Sequence, residues 1–235
     1  MPAPQPQPTA LITGGSAGIG LALAAGLVQD GYRVALLGRD PARLTTAAQE
    51  AGAELALVCD LRVPAAVDAA IARIEKDFGR LDLLVNNAGQ GRFLSLAETS
   101  EADWDAMIGT NLTGAWRITR RALPLLLASR GALLNIISVA GRKAFAGNSA
   151  YCASKFGLRG LAEALREELR GQGLRVINVY PGATDTPFWD TVAGDWDRSR
   201  MLRPADVAQA ARDALRLPPS ALVEDLVIGP AGGAL

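Results

Sequence analysis

From Thr9 onward, apolar runs of only four to six residues alternate with longer amphipathic stretches. A run that short, without polar alternation, suits a strand covered on both faces, and the stretch after it suits the helix that covers it. Repeated, the pattern is that of βα units around a mainly parallel sheet. It predicts seven strands, over 10–13, 33–37, 55–59, 83–86, 132–137, 175–180 and 225–228. Helices are expected to begin near Gly18, Pro41, Pro64, Ala102, Ala150 and Pro204, three of them at a proline whose missing N–H costs nothing in a first turn. Gly31, Gly52 and Gly79 mark helix ends.

Length and charge narrow the class. With 235 residues, 49% of them hydrophobic, the chain can fill one sizeable core and is short for two. A single domain over 9–235 is expected, preceded by an extended arm over 1–8 in which prolines alternate. Lys plus Arg and Asp plus Glu each number 24, so no net field draws the chain to nucleic acid or an anionic membrane, and a small molecule is the expected partner. The start carries neither a basic nor an apolar leader region, and no apolar run nears the ~20 residues of a membrane span, which makes the cytoplasm the expected location. Cys59 and Cys152 form no disulfide framework or metal cluster, and histidine is absent, so no metal is expected. Proton chemistry falls to tyrosine, lysine, carboxylates or water.

Directly after the first strand, Gly14-Gly15-Ser16-Ala17-Gly18-Ile19-Gly20 opens onto a helix. Glycines there allow a tight turn and let backbone N–H groups approach a pyrophosphate at the positive helix end. The context is that of a Rossmann-like, doubly wound α/β fold with helices on both faces. At the end of the second strand stand Gly38, Arg39 and Asp40. Arg39 suits a ribose 2′-phosphate and Gly38 leaves room for one, which favours NADP(H) over NAD(H); Asp40 as a ribose-binding acid is the alternative.

Further motifs follow in order through essentially the whole chain after the arm. The glycine turn is followed by Asp60-Leu61, then by Asn86-Asn87-Ala88-Gly89. Asn111 comes next in what reads as a long helix, Ser138 at the end of the fifth strand, and Tyr151-Cys152-Ala153-Ser154-Lys155 at the start of a helix. Pro181-Gly182-Ala183-Thr184-Asp185-Thr186 follows the sixth strand. In this order and at these spacings the motifs resemble those of the short-chain dehydrogenase/reductase family, and the resemblance implies an oxidoreductase that passes a hydride between NADP(H) and a carbonyl or alcohol, with Tyr151 as acid/base. It implies that Asp60 and Leu61 flank the adenine, that Lys155 also binds the nicotinamide ribose, and that Asn111 holds a water relaying protons to Lys155. Thr184 and Thr186 are suited to the carboxamide and pyrophosphate. Two departures stand out. Ala17 occupies a position that many NADP(H) members fill with a basic residue, leaving Arg39 to meet the phosphate, and the tail resembles the compact branch that includes sepiapterin-reductase-like and hydroxy-acid enzymes.

The residues themselves fit that chemistry. Tyr151 and Lys155 are four positions apart and share one helix face. An ammonium ~5 Å from a phenol of pKa about 10, at an effective dielectric of ~20, stabilises the phenolate by roughly 3 kcal/mol, so a lowered tyrosine pKa is expected. Ser138 is placed to hydrogen-bond the substrate oxygen, and Cys152 reads as a small buried filler without a base to activate it. Phe93, Leu94, Phe145, Phe188, Trp189 and Trp196 suggest an apolar pocket wall, and the segment over 187–200 a lid. Long helices over 102–127 and 150–169, apolar on more than one face, predict a homodimer or homotetramer. A non-catalytic NADP(H)-binding sensor is the rival from another class, because a fold alone cannot separate the two; such a sensor has no need of Ser138, Tyr151 and Lys155 together.

Overall fold

The computed structural model describes residues 6–192, 194–218 and 220–233, so positions 1–5 of the expected arm and the last two residues of the tail lie outside the described residues. Seven strands form one sheet: β1 (Thr9–Thr13), β2 (Arg33–Gly38), β3 (Leu55–Val58), β4 (Leu83–Asn86), β5 (Ala132–Ile136), β6 (Arg175–Pro181) and β7 (Asp225–Ile228). Each matches its apolar run to within one residue at either end. The order is β3-β2-β1-β4-β5-β6-β7 and every pairing is parallel. The fold is the expected Rossmann-like one.

Seven α-helices surround the sheet: α1 (Gly18–Gln29), α2 (Pro41–Ala51), α3 (Pro64–Phe78), α4 (Glu101–Ile108), α5 (Ala115–Ser129), α6 (Ser149–Leu169) and α7 (Pro204–Leu215). Successive strand side chains point to opposite faces. On β1, Ala10 and Ile12 therefore join Leu23 of α1, Leu44 of α2 and Val207 of α7, whereas Leu11 joins Ile74 of α3, Ile118 of α5 and Ala162 of α6. Both faces are dry, which is why the central strands read as unbroken apolar runs.

One polar line crosses this apolar sheet. Asn86, Asn135 and Asn178 are register partners on β4, β5 and β6. The Asn86 amide donates to Asn135 (3.0 Å), Asn135 to Asn178 (3.1 Å) and Asn178 to the Asp225 carboxylate (3.2 Å), which also accepts from Arg166 (3.1 Å). A one-residue slip of any of these strands would aim an amide at the wrong face and leave its neighbours unpaired.

The long helix expected over 102–127 is interrupted. Residues Gly109–Gly114 form a π-helical turn between α4 and α5, and Asn111, at its centre, is 0% exposed. An inserted residue leaves the apolar pattern on either side helical, so periodicity alone does not show it. Packing accounts for the small residue that ends the turn: a Cβ on Gly114 would stand 2.8 Å from the Leu61 Cβ.

Helices α1 and α7 are joined by an ion pair. Arg212 donates twice to Asp30, the residue that follows α1, at 2.7 Å each, and Arg216 bonds the same carboxylate. Chiefly the Arg212 hydrogen bonds lower the Asp30 pKa to about 2. Both partners are mostly covered, at 12% and 18% side-chain exposure, so solvent screens the pair little. A depressed carboxyl adds stability that is complete above its unfolded value near 4 and lost as pH falls towards 2. Asp30→Asn is expected to cost about 2 kcal/mol in urea unfolding at pH 7. At about pH 2 the variant and the parent should unfold alike; a constant difference across that range would disprove the linkage.

Candidate active site

From β1 the chain winds outward through β2 and β3, then returns to β4 on the other side of β1. Where winding reverses, the connections beyond the carboxyl ends of neighbouring strands part and leave a crevice. A cleft of about 1110 Å³ opens there.

At its floor, Thr13, the last residue of β1, holds three segments together. Its hydroxyl donates to the Val85 carbonyl (3.1 Å) and accepts from the Asn87 and Ala88 N–H groups (3.0 Å each). The Asn87 side-chain amide donates to the carbonyls of Thr13 (3.0 Å) and Gly14 (2.9 Å). Gly14 has φ +65°, a conformation that suits glycine, and a Cβ on Gly20 would lie 2.5 Å from the Asn87 amide nitrogen and 2.4 Å from the Gly14 oxygen. Gly20 is thus needed for the clamp, although it is not itself part of the cleft wall. Ser16, Gly18 and Ile19 are, and the N-terminus of α1 has no side-chain cap, so its N–H groups stay open to an anion.

At the end of β2 the alternatives left by the sequence separate. Asp40 caps α2, accepting from the Arg43 N–H at 3.0 Å, and it does not line the cleft. Arg39 and Arg43 both line it. Asp60 and Leu61 form the adjoining wall, with Asp60 held by Arg62, whose hydrogen bonds keep the Asp60 carboxyl below its ordinary pKa.

Midway along the cleft stand Tyr151 and Lys155, one turn apart on α6, with Ser138 opposite on the connection after β5. Ser138 is near enough to the Tyr151 hydroxyl to pull its pKa down, and it accepts from the Ala140 N–H (3.1 Å), so it caps a turn as well as facing the cleft. Lys155 is 4% exposed, and its ammonium donates to the Ile136 carbonyl (3.3 Å) and lies 5.7 Å from the Tyr151 ring centre. The lowered tyrosine pKa expected from four-residue spacing is not what the structure gives. Burial pushes Tyr151 up to about 12, against the pull of Ser138, and pushes Lys155 down to about 8. The spacing argument placed the pair in a screened medium of uniform dielectric, whereas here desolvation outweighs their attraction.

Asn111 does not line the cleft. Its side chain accepts from the Gln90 N–H (2.9 Å) and donates to the Gln90 carbonyl (2.8 Å) and to the Ser154 hydroxyl (2.9 Å). Ser154 in turn donates to the Tyr151 carbonyl (2.7 Å). The π-helical turn is therefore tied both to the loop after β4 and to the first turn of α6. Asn87, Ala88 and Gly89 belong to that loop and line the cleft, and a Cβ on Gly89 would lie 3.4 Å from the Lys155 nitrogen.

Beyond β6, Pro181, Gly182, Thr184 and Thr186 complete the wall. The Thr184 carbonyl is taken by the Trp189 indole (2.9 Å), and the Thr186 methyl lies where a Cβ on Gly18 would meet it. The segment expected as a lid forms two 3-10 turns, Pro187–Thr191 and Arg198–Arg200. Arg198 bonds Asp185 (2.6 Å), Asp190 (2.6 Å) and the Thr186 carbonyl (2.8 Å), which holds the segment to its own stem. Of the six residues expected in the apolar wall, Leu94 is outside it, in a bridge to Asn148, and the five aromatic ones are in it.

A family model described as short chain dehydrogenase matches residues 8–195. The chain belongs to the short-chain dehydrogenase family. It is 36% identical to a sepiapterin reductase of Chlorobaculum tepidum, over 95% of this chain and 96% of that protein. Among solved structures, an alcohol dehydrogenase of the archaeon Thermococcus sibiricus complexed with 5-hydroxy-NADP is similar at a TM-score of 0.88 and 31% identity, over 97% and 98% of the two chains. A 3-ketoacyl-(acyl-carrier-protein) reductase of Brucella melitensis complexed with NADH has the same TM-score at 28% identity, over 95% and 97%. This short-chain dehydrogenase is thus an oxidoreductase by family. Among the described residues no helix is long and apolar enough to cross a membrane.

Of the residues expected in the site, all but Gly20 and Asn111 line the cleft. Sequence reasoning missed Thr13, Arg43, Gln90 and Ser154. Arg43 carried a signal, as a basic residue in the first turn of the helix that begins at Pro41; the other three act through contacts between segments distant in sequence. Gly20→Ala is expected to spoil the clamp by overpacking and to weaken NADPH binding about tenfold or more, read by calorimetry. Unchanged affinity with an unchanged circular dichroism spectrum would show that the turn tolerates the methyl group.

Proposed function

We propose that this short-chain dehydrogenase is an NADP(H)-preferring carbonyl reductase in which Tyr151 donates the proton. The observation that carries the reading is the meeting of Tyr151, Ser138 and Lys155 in the cleft that starts at the uncapped N-terminus of α1. The cradle fits a dinucleotide. Gly14, Ser16, Gly18, Ile19 and Gly20 would shape and bind the pyrophosphate turn, and Thr186 would close over it. Asp60 and Leu61 would flank the adenine, with Asn87, Ala88 and Gly89 along the adenosine side. Pro181, Gly182 and Thr184 would border the nicotinamide, and Lys155 would hold its ribose. Arg39 and Arg43 supply two cations for a 2′-phosphate, while Asp40, the residue that would favour NAD(H), is engaged as a helix cap. When bound, the nicotinamide supplies the hydride.

The remaining steps belong to the chain. Ser138 fixes the substrate oxygen beside the Tyr151 hydroxyl, where negative charge develops. With its pKa pushed up to about 12 by burial, that phenol is neutral at pH 7 and can donate. Lys155, with a pKa of about 8, is mostly ammonium at pH 7 and stabilises the phenolate left behind. Asn111 holds the Gln90 loop and, through Ser154, the backbone of Tyr151, which keeps the acid in place beside any water it relays.

Tyr151→Phe is expected to keep NADPH affinity and lose about 100-fold or more in turnover with a reducible ketone. Turnover near that of the parent would remove Tyr151 from the reaction and favour a binding role such as that of a sensor. Arg39→Ala and Arg43→Ala should raise the KM for NADPH about tenfold or more, with little change for NADH, in parallel steady-state assays. Equal rises with both cofactors would remove the phosphate-contact assignment.

A further inference from the structure

Past Tyr151 the cleft wall is made of rings, contributed by two loops far apart in sequence. Phe93, after β4, is their hub: its ring centre lies 6.0 Å from Tyr151, 6.0 Å from Phe188, 5.8 Å from Trp189 and 6.1 Å from Trp196. It meets Phe188 and both indoles edge-on, at 60°, 89° and 88°. Phe188 also packs 5.7 Å from Tyr151, and the two indoles stand 4.8 Å apart. Such edge-to-face arrangements leave ring faces and edges available to a further ring at the same spacing.

Charge is arranged to match. Among the described residues, the cationic side chains that line the cleft are Arg39 and Arg43 near the end of β2, Lys155 beneath Tyr151, and Arg92. Arg92, the one adjoining the rings, is bound to Asp103 at 2.7 Å. A substrate carboxylate or phosphate at this end would therefore meet aromatic surface and a cation already paired, and would lose its hydration without recompense. Burial strong enough to shift both Tyr151 and Lys155 points to the same dry environment.

We infer that the ring cluster around Phe93 is the subsite for the aryl group of an uncharged aromatic ketone, with Phe93 as the specificity-determining residue. The inference rests on the carbonyl-reductase reading and deepens it. With the aryl group among the rings, the carbonyl reaches Tyr151 and Ser138. Its carbon receives the hydride of NADPH and its oxygen the Tyr151 proton, which solvent replaces, giving the aryl alcohol and NADP+.

The test compares 2-acetylnaphthalene, a straight-chain methyl ketone of equal carbon number, and pyruvate, each with NADPH. It is run on the parent, Phe93→Leu, which keeps apolar bulk without the ring, and Phe93→Ala. Binding of 2-acetylnaphthalene to the NADP+-loaded protein is followed by quenching of tryptophan fluorescence. The parent should prefer the aryl ketone in kcat/KM over the straight-chain ketone by about tenfold and over pyruvate by more, and Phe93→Leu should erase most of the first preference. Aryl binding should weaken in both variants. Reduction of the straight-chain ketone or pyruvate at least as well as the aryl one, or a preference unchanged in Phe93→Leu, overturns the subsite while leaving the reductase reading intact. Reduction of none of the three, with Phe93-dependent binding of 2-acetylnaphthalene retained, instead overturns the reductase reading.

Discussion

The Thr13 hydroxyl and the Asn87 amide are the pair of groups on which the rest of the cleft depends. Between them they satisfy backbone groups of the glycine turn and of the loop after β4, at the point where the winding of the sheet reverses. A crevice at that point is a product of topology, but topology leaves its two lips independent. The clamp fixes their separation, and with it the distance from the α1 N-terminus to the loop that packs on Lys155. Every later element of the site, from Asn111 to the aromatic wall, is positioned relative to those lips.

Burial is the second organising influence, and it acts against the simplest electrostatic expectation. An ammonium four residues from a phenol should lower the phenol's pKa, yet both groups are moved towards neutrality. The same dry surroundings that raise Tyr151 make it a firm holder of its proton and a proton donor only to a base as strong as a nascent alkoxide. With no histidine in the chain, no imidazole offers a competing route for that proton.

The fold was legible because its signal is local: seven apolar runs, each flanked by glycine or proline, gave strands to within one residue. The lining of the site was legible because its residues sit at strand ends and turns, where their spacing follows from the fold. What escaped was non-local or fell between patterns. The π-helical turn at Gly109–Gly114 interrupts a helix without disturbing the apolar pattern on either side. Asp40 stood as the alternative, ribose-binding residue beside Arg39, and the structure shows it engaged instead by the Arg43 N–H as the cap of α2. Ser154 carried no reading of its own in the run from Tyr151 to Lys155, and only its contact with Asn111, 43 positions away, gives it a purpose.

The line of amides across β4, β5 and β6 bears on how the molecule is assembled as well as on how it is held. Its members are 49, 43 and 47 positions apart along the chain, so every bond in it closes a long loop. Parallel sheets form slowly because such loops must be ordered before their contacts reward them, and apolar strands alone accept more than one alignment while they wait. A misaligned strand would bury an amide with no counterpart, a penalty felt only once the sheet has begun to close. The asparagines therefore favour the one alignment in which four strands stand at the same level.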